Sequence, residues 1–143
     1  MSARFDVDAV LFDLDGTLLD TIDDLFEAAN RMLAELGRPL RTPEEIRRFV
    51  GKGIPKLVER CLAAPEMPAG EFDAAVEVFK RHYRDTNGRH ARAYETVTDT
   101  VRELHGGGRR LGVVTNKATD FTVPLLAATG LAPYFDAVAC GDT

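Results

Sequence analysis

The apolar run Ala9-Val10-Leu11-Phe12 stops abruptly at Asp13, and Gly16 follows. A short apolar run closed by a turn signal reads as a buried strand that carries its polar end to a sheet edge. Phe5 and Val7 extend the run backward. The hydrophobic period then changes. Ile22, Leu25, Phe26, Ala29, Leu33 and Leu36 fall on one face of a helix over Thr21 to Leu36, with Gly37 at its C-terminal cap. Thr42-Pro43-Glu44-Glu45 opens a second helix, with Thr42 as N-cap, Pro43 at the first helical position and Glu45 closing a capping box. That helix ends near Val50-Gly51. Two more follow, over Ile54 to Ala64 and from Pro68 or Ala69 to about Tyr83, before the turn signal Asn87-Gly88.

Strands and helices then alternate. A short helix over Thr98 to His105 is stopped by Gly106-Gly107-Gly108. Leu111-Gly112-Val113-Val114 reads as a second buried strand, Thr119 to Thr129 as a helix that contains Pro124, and Phe135 to Ala139 as a third strand. This order predicts an α/β fold with a parallel sheet of about three strands, interrupted by an all-helical insertion. Residues 1–20 and 90–143 form the sheet domain on this reading, and 21–89 the inserted helices. Right-handed crossovers gather the polar strand ends on the carboxyl edge, where such folds bind ligands.

Composition narrows the partners. The chain has 18 basic against 23 acidic residues and a net charge of −5, which excludes a strongly basic nucleic-acid binder. No apolar run approaches the ~20 residues that span a bilayer, and Met1 to Asp8 has no apolar stretch of a signal peptide, so a cytoplasmic protein is expected. Cys61 and Cys140 lie in no CxxC and read as free thiols. His82, His90 and His105 share no metal-binding spacing, and Arg47-Arg48 and Arg109-Arg110 read as solvated faces. Phe5, Phe12, Phe26, Phe49, Phe72, Phe79, Phe121 and Phe135 read as core.

Two strand ends carry the chemistry. The first delivers Asp13-Leu14-Asp15-Gly16-Thr17. Two carboxylates two residues apart can share one hard cation, or divide labour between attack on an electrophile and proton transfer. A strand-to-helix turn with Asp as a cap is the plain alternative. An EF-hand loop is excluded, because its sixth position would be Leu18 and its twelfth Asp24. The second strand ends in Thr115-Asn116-Lys117, whose hydroxyl, amide and backbone N–H groups are donors for an oxyanion. Gly51-Lys52-Gly53, between two helices, is a flexible loop with one cation; it is too short for a P-loop, and a solvated Lys52 is its plain reading.

With these motifs in place the chain resembles the haloacid dehalogenase-like phosphotransferases. FDLDGTLLDT looks like the family's first motif and LGVVTNK like its second, with the helical segment matching a small cap inserted after the first. RMLAELGRP, FVGKGIPKLVERCL, VVTNKATDFTVPLLAATGL and YFDAVACGDT look like its phosphoglycolate phosphatase branch. The resemblance implies a Rossmann-like core with an α-helical cap. It implies that Asp13 is the nucleophile and a magnesium ligand. Asp15 is the general acid/base, with its backbone carbonyl also on the metal, and Gly16 and Thr17 lie in the turn beside the phosphate. Thr115 and the Asn116 backbone hold the phosphoryl group, and Gly51, Lys52 and Gly53 close over the site to read a small phosphorylated metabolite. A pyrophosphatase or a β-phosphoglucomutase-like enzyme is the alternative within the family.

The sequence also departs from the family. The later Lys, usually before a Pro, and the later acidic motif are absent. Gly141-Asp142 resembles the start of that acidic motif but follows the third strand, and is assigned no metal role. The family usually has a Pro-Gly turn where this chain has Tyr94-Glu95-Thr96-Val97. The resemblance therefore implies a fragment of a longer enzyme, inactive or nearly so alone, or a catalytically silent phosphate-binding or interaction module. The first strand would then leave an open sheet edge, inviting self-association.

Overall fold

The computed structural model describes residues 6–143. Phe5, expected in the core, lies outside them. Strands β1 (Ala9–Phe12), β4 (Arg110–Val114) and β5 (Ala137–Ala139) form a parallel sheet in the order β1-β4-β5. Helices α1 (Ile22–Glu35), α2 (Pro43–Phe49), α3 (Ile54–Leu62) and α4 (Ala69–Thr86) follow β1, while α5 (Val97–Gly106) and α6 (Thr119–Ala128) flank β4. The expected α/β architecture holds, with two adjustments. Helix α4 runs past Tyr83 to Thr86. A pair of two-residue strands, β2 (Leu19–Asp20) and β3 (Arg92–Ala93), ties together the two chain segments that lead into and out of the helical segment. Two residues are too few to show an alternating period, so the sequence carries no sign of this pair.

Two apolar clusters hold the molecule. One is built from the inward faces of α1 to α4, with Met32, Leu33, Ile46, Val58 and Phe79 fully buried. The capping box at Thr42 and Glu45 forms as read, so α2 starts where its sequence says. The other cluster packs Val101 of α5 and Leu125 and Leu126 of α6 against Val10, Phe12, Leu111 and Val113. Phe79 and Phe121 are buried, and Phe12, Phe26, Phe49, Phe72 and Phe135 are half-buried against one cluster or the other. Both thiols are free, and burial pushes Cys61 up to about 11.

Both crossovers, β1 to β4 and β4 to β5, step in the same direction across the sheet. Right-handed connections then place their helices on the same face. Among the described residues only that face is covered. The opposite face presents Leu11, 70% exposed, and Val114, 49% exposed, beside Ala9, Ala137 and Ala139, which are also exposed. Parallel sheets are ordinarily buried on both sides. Strand β1 is also an edge, with no strand among the described residues on its outer side.

The departure at Tyr94-Glu95-Thr96-Val97 has a backbone consequence. Thr96 adopts φ 72° and ψ −13°, a left-handed conformation that its branched Cβ disfavours. Thr96 is exposed and its side chain caps nothing. Thr96→Gly is expected to raise stability by about 1 kcal/mol, read as a higher denaturation midpoint at unchanged slope. A lower midpoint would show that Thr96 is not strained.

Candidate functional site

Strand register brings the two polar ends together. Phe12 pairs with Val113 across β1 and β4, so Asp13 follows at the level of Val114 and Thr115 one residue beyond, both at the carboxyl edge. The turn after β1 is tightly closed. Leu14, fully buried, anchors it through its carbonyl, which accepts from the N–H groups of Thr17, Leu18 and Leu19, while the Gly16 N–H donates to Leu19. The N–H groups of Gly16 and Thr17 are therefore spent on the turn that orients Asp15.

Asp13 is exposed at the mouth. Its Oδ1 accepts from the Leu14 N–H at 2.8 Å, and Oδ2 has no partner among the described residues. Asp15 is held differently. Its Oδ1 accepts from Thr21 Oγ1 at 2.6 Å and lies 3.2 Å from Lys117 Nζ. Thr21, expected inside the first helix, is thus the residue before α1, with its hydroxyl turned to Asp15 instead of capping the helix.

Thr115 is buried, and its Oγ1 accepts from the Lys117 N–H at 3.1 Å, which leaves the hydroxyl proton to donate outward. The backbone N–H of Asn116 has no acceptor among the described residues. Its side chain crosses to the helical segment and donates to the Gly51 carbonyl at 2.9 Å. The cleft so formed has an empty volume of about 460 Å³, part of it open to solvent. Asp13, Asp15, Thr115, Asn116 and Lys117 form its floor, and Leu25, Val50, Ile54 and Leu57 its apolar roof, with Gly51 and Gly53 at the junction.

Gly51 and Gly53 have φ of 118° and 88°, so the loop needs glycine at both. Lys52 between them is exposed and does not line the cleft. A neighbouring cavity opens between Asp15, Gly16, Asp20, Tyr94 and Arg47 of α2. Arg47, read from the sequence as part of a solvated face, therefore stands as an exposed cation on the wall of a cavity that Asp15 shares.

Three features of the site have no signature in the sequence. Lys117 is 6% exposed, and its ammonium also donates to the phenol oxygen of Tyr83 on α4. Burial opposes its charge, but the Tyr83 oxygen and the Asp15 carboxylate outweigh it and hold the ammonium above the ordinary lysine range. Gly141 packs so closely on the second strand end that a Cβ there would lie 2.2 Å from the Asn116 carbonyl oxygen. Asp142 accepts from Thr119 N and Oγ1, at 3.0 and 2.7 Å, and secures the first turn of α6. Those hydrogen bonds hold its carboxyl below the usual carboxylate range.

A strand-end carboxylate pair, a hydroxyl-bearing second strand and an all-helical insertion between them are the parts of one fold family. The chain belongs to the haloacid dehalogenase-like hydrolases, whose family model matches residues 10–143. Among individual relatives it is 46% identical over 136 residues to a plasmid-encoded phosphoglycolate phosphatase of Cupriavidus necator, covering 94% of this chain and 59% of that protein. It is 46% identical over 140 residues to the phosphoglycolate phosphatase of Nitrosospira multiformis, covering 96% and 62%. The chain thus spans about three-fifths of the length of these relatives.

Solved structures agree on the fold. A predicted phosphoglycolate phosphatase from Haemophilus somnus superimposes with a TM-score of 0.87 at 29% identity, over 94% of this chain and 62% of that one. CbbY from Rhodobacter sphaeroides, solved in complex with phosphate, gives 0.79 at 25% identity, over 96% and 64%. No described helix is long and apolar enough to cross a membrane.

Proposed function

We propose that this chain carries the phosphoryl-transfer centre of a magnesium-dependent phosphomonoester hydrolase, acting on a small phosphorylated metabolite, phosphoglycolate first. The observation that carries the reading is one cleft shared by Asp13, Asp15, Thr115 and Asn116. Residues 21–89 act as the cap domain over a core of 1–20 and 90–143.

Asp13 attacks phosphorus through its unpartnered Oδ2 and forms an aspartyl phosphate as the ester oxygen departs. Asp15 gives that oxygen a proton. It then takes a proton from the water that attacks the aspartyl phosphate, releasing inorganic phosphate and freeing Asp13. The Thr115 hydroxyl and the Asn116 N–H stabilise the phosphoryl oxygens. The apolar roof keeps bulk water from the intermediate.

The donor set suits magnesium, which is commonly held by one or two carboxylates together with substrate phosphate. Asp13 Oδ1, which accepts only from the Leu14 N–H, and the main-chain carbonyl of Asp15, which accepts no hydrogen bond among the described residues, are hard oxygens at one strand end. Bound there, magnesium supplies the positive charge that offsets repulsion between an anionic nucleophile and an anionic ester. Lys52 and Gly51-Gly53 are the candidate reader of the substrate carboxylate, with the loop glycines allowing its approach.

The test is magnesium-dependent phosphate release from phosphoglycolate, pyrophosphate and a hexose phosphate by the whole protein that carries this chain. Preference for phosphoglycolate supports the reading, preference for either other substrate moves it to the alternative within the family, and release from none overturns it. A silent phosphate-binding module is the second reading. Phosphate binding without turnover would establish it.

The open edge of β1 and the bare sheet face support self-association of the chain. Light scattering is expected to give a mass above that of the 15.7 kDa monomer. A stable, folded monomer would overturn that expectation.

A further inference from the structure

Lys117 is a buried charge in a place where the turn requires none. Its backbone already serves the site: the N–H donates to Thr115 Oγ1, and the carbonyl accepts from the Gly141 N–H at 2.9 Å. Any residue could make those bonds. Burying an unpaired ammonium is strongly unfavourable, and even a paired one is weak support for stability. The side chain therefore needs a reason beyond packing.

Its partners supply one. Nζ lies against Asp15 Oδ1 on the core side and the Tyr83 hydroxyl on α4. Tyr83 is itself fully buried, stacked between Phe79 and Phe121 at centroid distances of 5.6 and 4.8 Å, so its phenol oxygen is fixed by the packing of α4 on α6. Thr21 Oγ1 donates to the same Oδ1. One oxygen of Asp15 is thus claimed twice, and Oδ2 has no partner among the described residues.

We propose that Lys117 is a positioning residue, held by Tyr83, that fixes Oδ1 of Asp15 and presents Oδ2 to the ester oxygen of the substrate. The proposal rests on the reading of Asp15 as general acid. It also makes the seating of α4 a condition for a correctly aimed Asp15, because the ammonium bridges the helical layer and the strand end.

The test separates leaving groups. An alkyl phosphate such as phosphoglycolate needs its departing oxygen protonated; p-nitrophenyl phosphate, whose phenolate departs readily, does not. Comparison of kcat/KM for the two isolates transfer to Asp13. Lys117→Met is expected to lower kcat/KM for phosphoglycolate about 10²-fold, the lower range for a positioned acid, and that for the aryl ester by no more than about threefold. Tyr83→Phe, which removes one hydroxyl and keeps the packed ring, should shift the same ratio in the same direction by about tenfold, and it stands in if Lys117→Met fails to fold. Equal losses on both esters would make Lys117 a structural or phosphate-holding group and overturn the proposal. Unchanged values on both would also overturn it, while the phosphatase reading would stand. A wild-type protein that turns over neither ester overturns that reading and the proposal with it.

Discussion

Asp13→Asn is expected to abolish magnesium-dependent phosphate release, by at least about 10³-fold, while leaving the fold intact. Loss of a covalent nucleophile can reach about 10⁶ in kcat, so the lower figure is a floor. The amide is nearly isosteric with the carboxylate and retains an oxygen to accept from the Leu14 N–H, the bond that Asp13 makes in the turn. It is a poor nucleophile and a weaker magnesium ligand. Thermal unfolding of the variant should therefore match the wild type, and phosphate release is the quantity that changes. Retention of more than a tenth of the wild-type rate would remove Asp13 from the role of nucleophile. The same variant also separates enzyme from silent module, because contaminating phosphatase activity would be indifferent to it.

Asp24→Ala is expected to cost roughly 4 kcal/mol of stability. Asp24 is 1% exposed in the first turn of α1 and does not line the cleft. Its carboxylate accepts from three main-chain N–H groups on the segment returning from the helical layer: Gly88 at 3.0 Å, His90 at 2.7 Å and Ala91 at 3.1 Å. Its own carbonyl accepts from Thr86 Oγ1 at 2.9 Å. Hydrogen bonds to a charged group contribute about 1.5–3 kcal/mol each, and water that reaches the vacated space recovers part of the sum. A domain whose whole stability is about 5–15 kcal/mol would feel this as a large fall in the denaturation midpoint. Asp24→Asn keeps one oxygen and should lose less. A cost under about 1 kcal/mol for Asp24→Ala would mean that the return segment holds its place without the carboxylate.

Asp24 also marks where sequence reading ends. Its position on the apolar side of α1 looks like an imperfection in the helical period, and the amides that need it lie 64 to 67 residues further along the chain. Lys117 is similar: next to Thr115 in sequence, it is joined to the site through Tyr83, 34 residues away. Arg47 reads as surface because its neighbours on α2 are polar, and only the fold lays it beside the cavity that Asp15 lines. By contrast Asp13, Asp15 and Thr115 are legible because strand, stop and turn lie within a few residues of each other. Thr42 and Glu45 are legible for the same reason, since a capping box closes over one turn of helix.

Local pattern sets the order and kind of the longer elements, the placement of the two polar strand ends and the start of α2, because periodicity, caps and turn residues act over one or two turns of chain. Tertiary structure decided which face of the sheet is covered, how the β2–β3 pair forms, what Asp24 holds and how Lys117 reaches Asp15. Each of these depends on groups far apart in the chain, and no local pattern records the free energy of bringing them together.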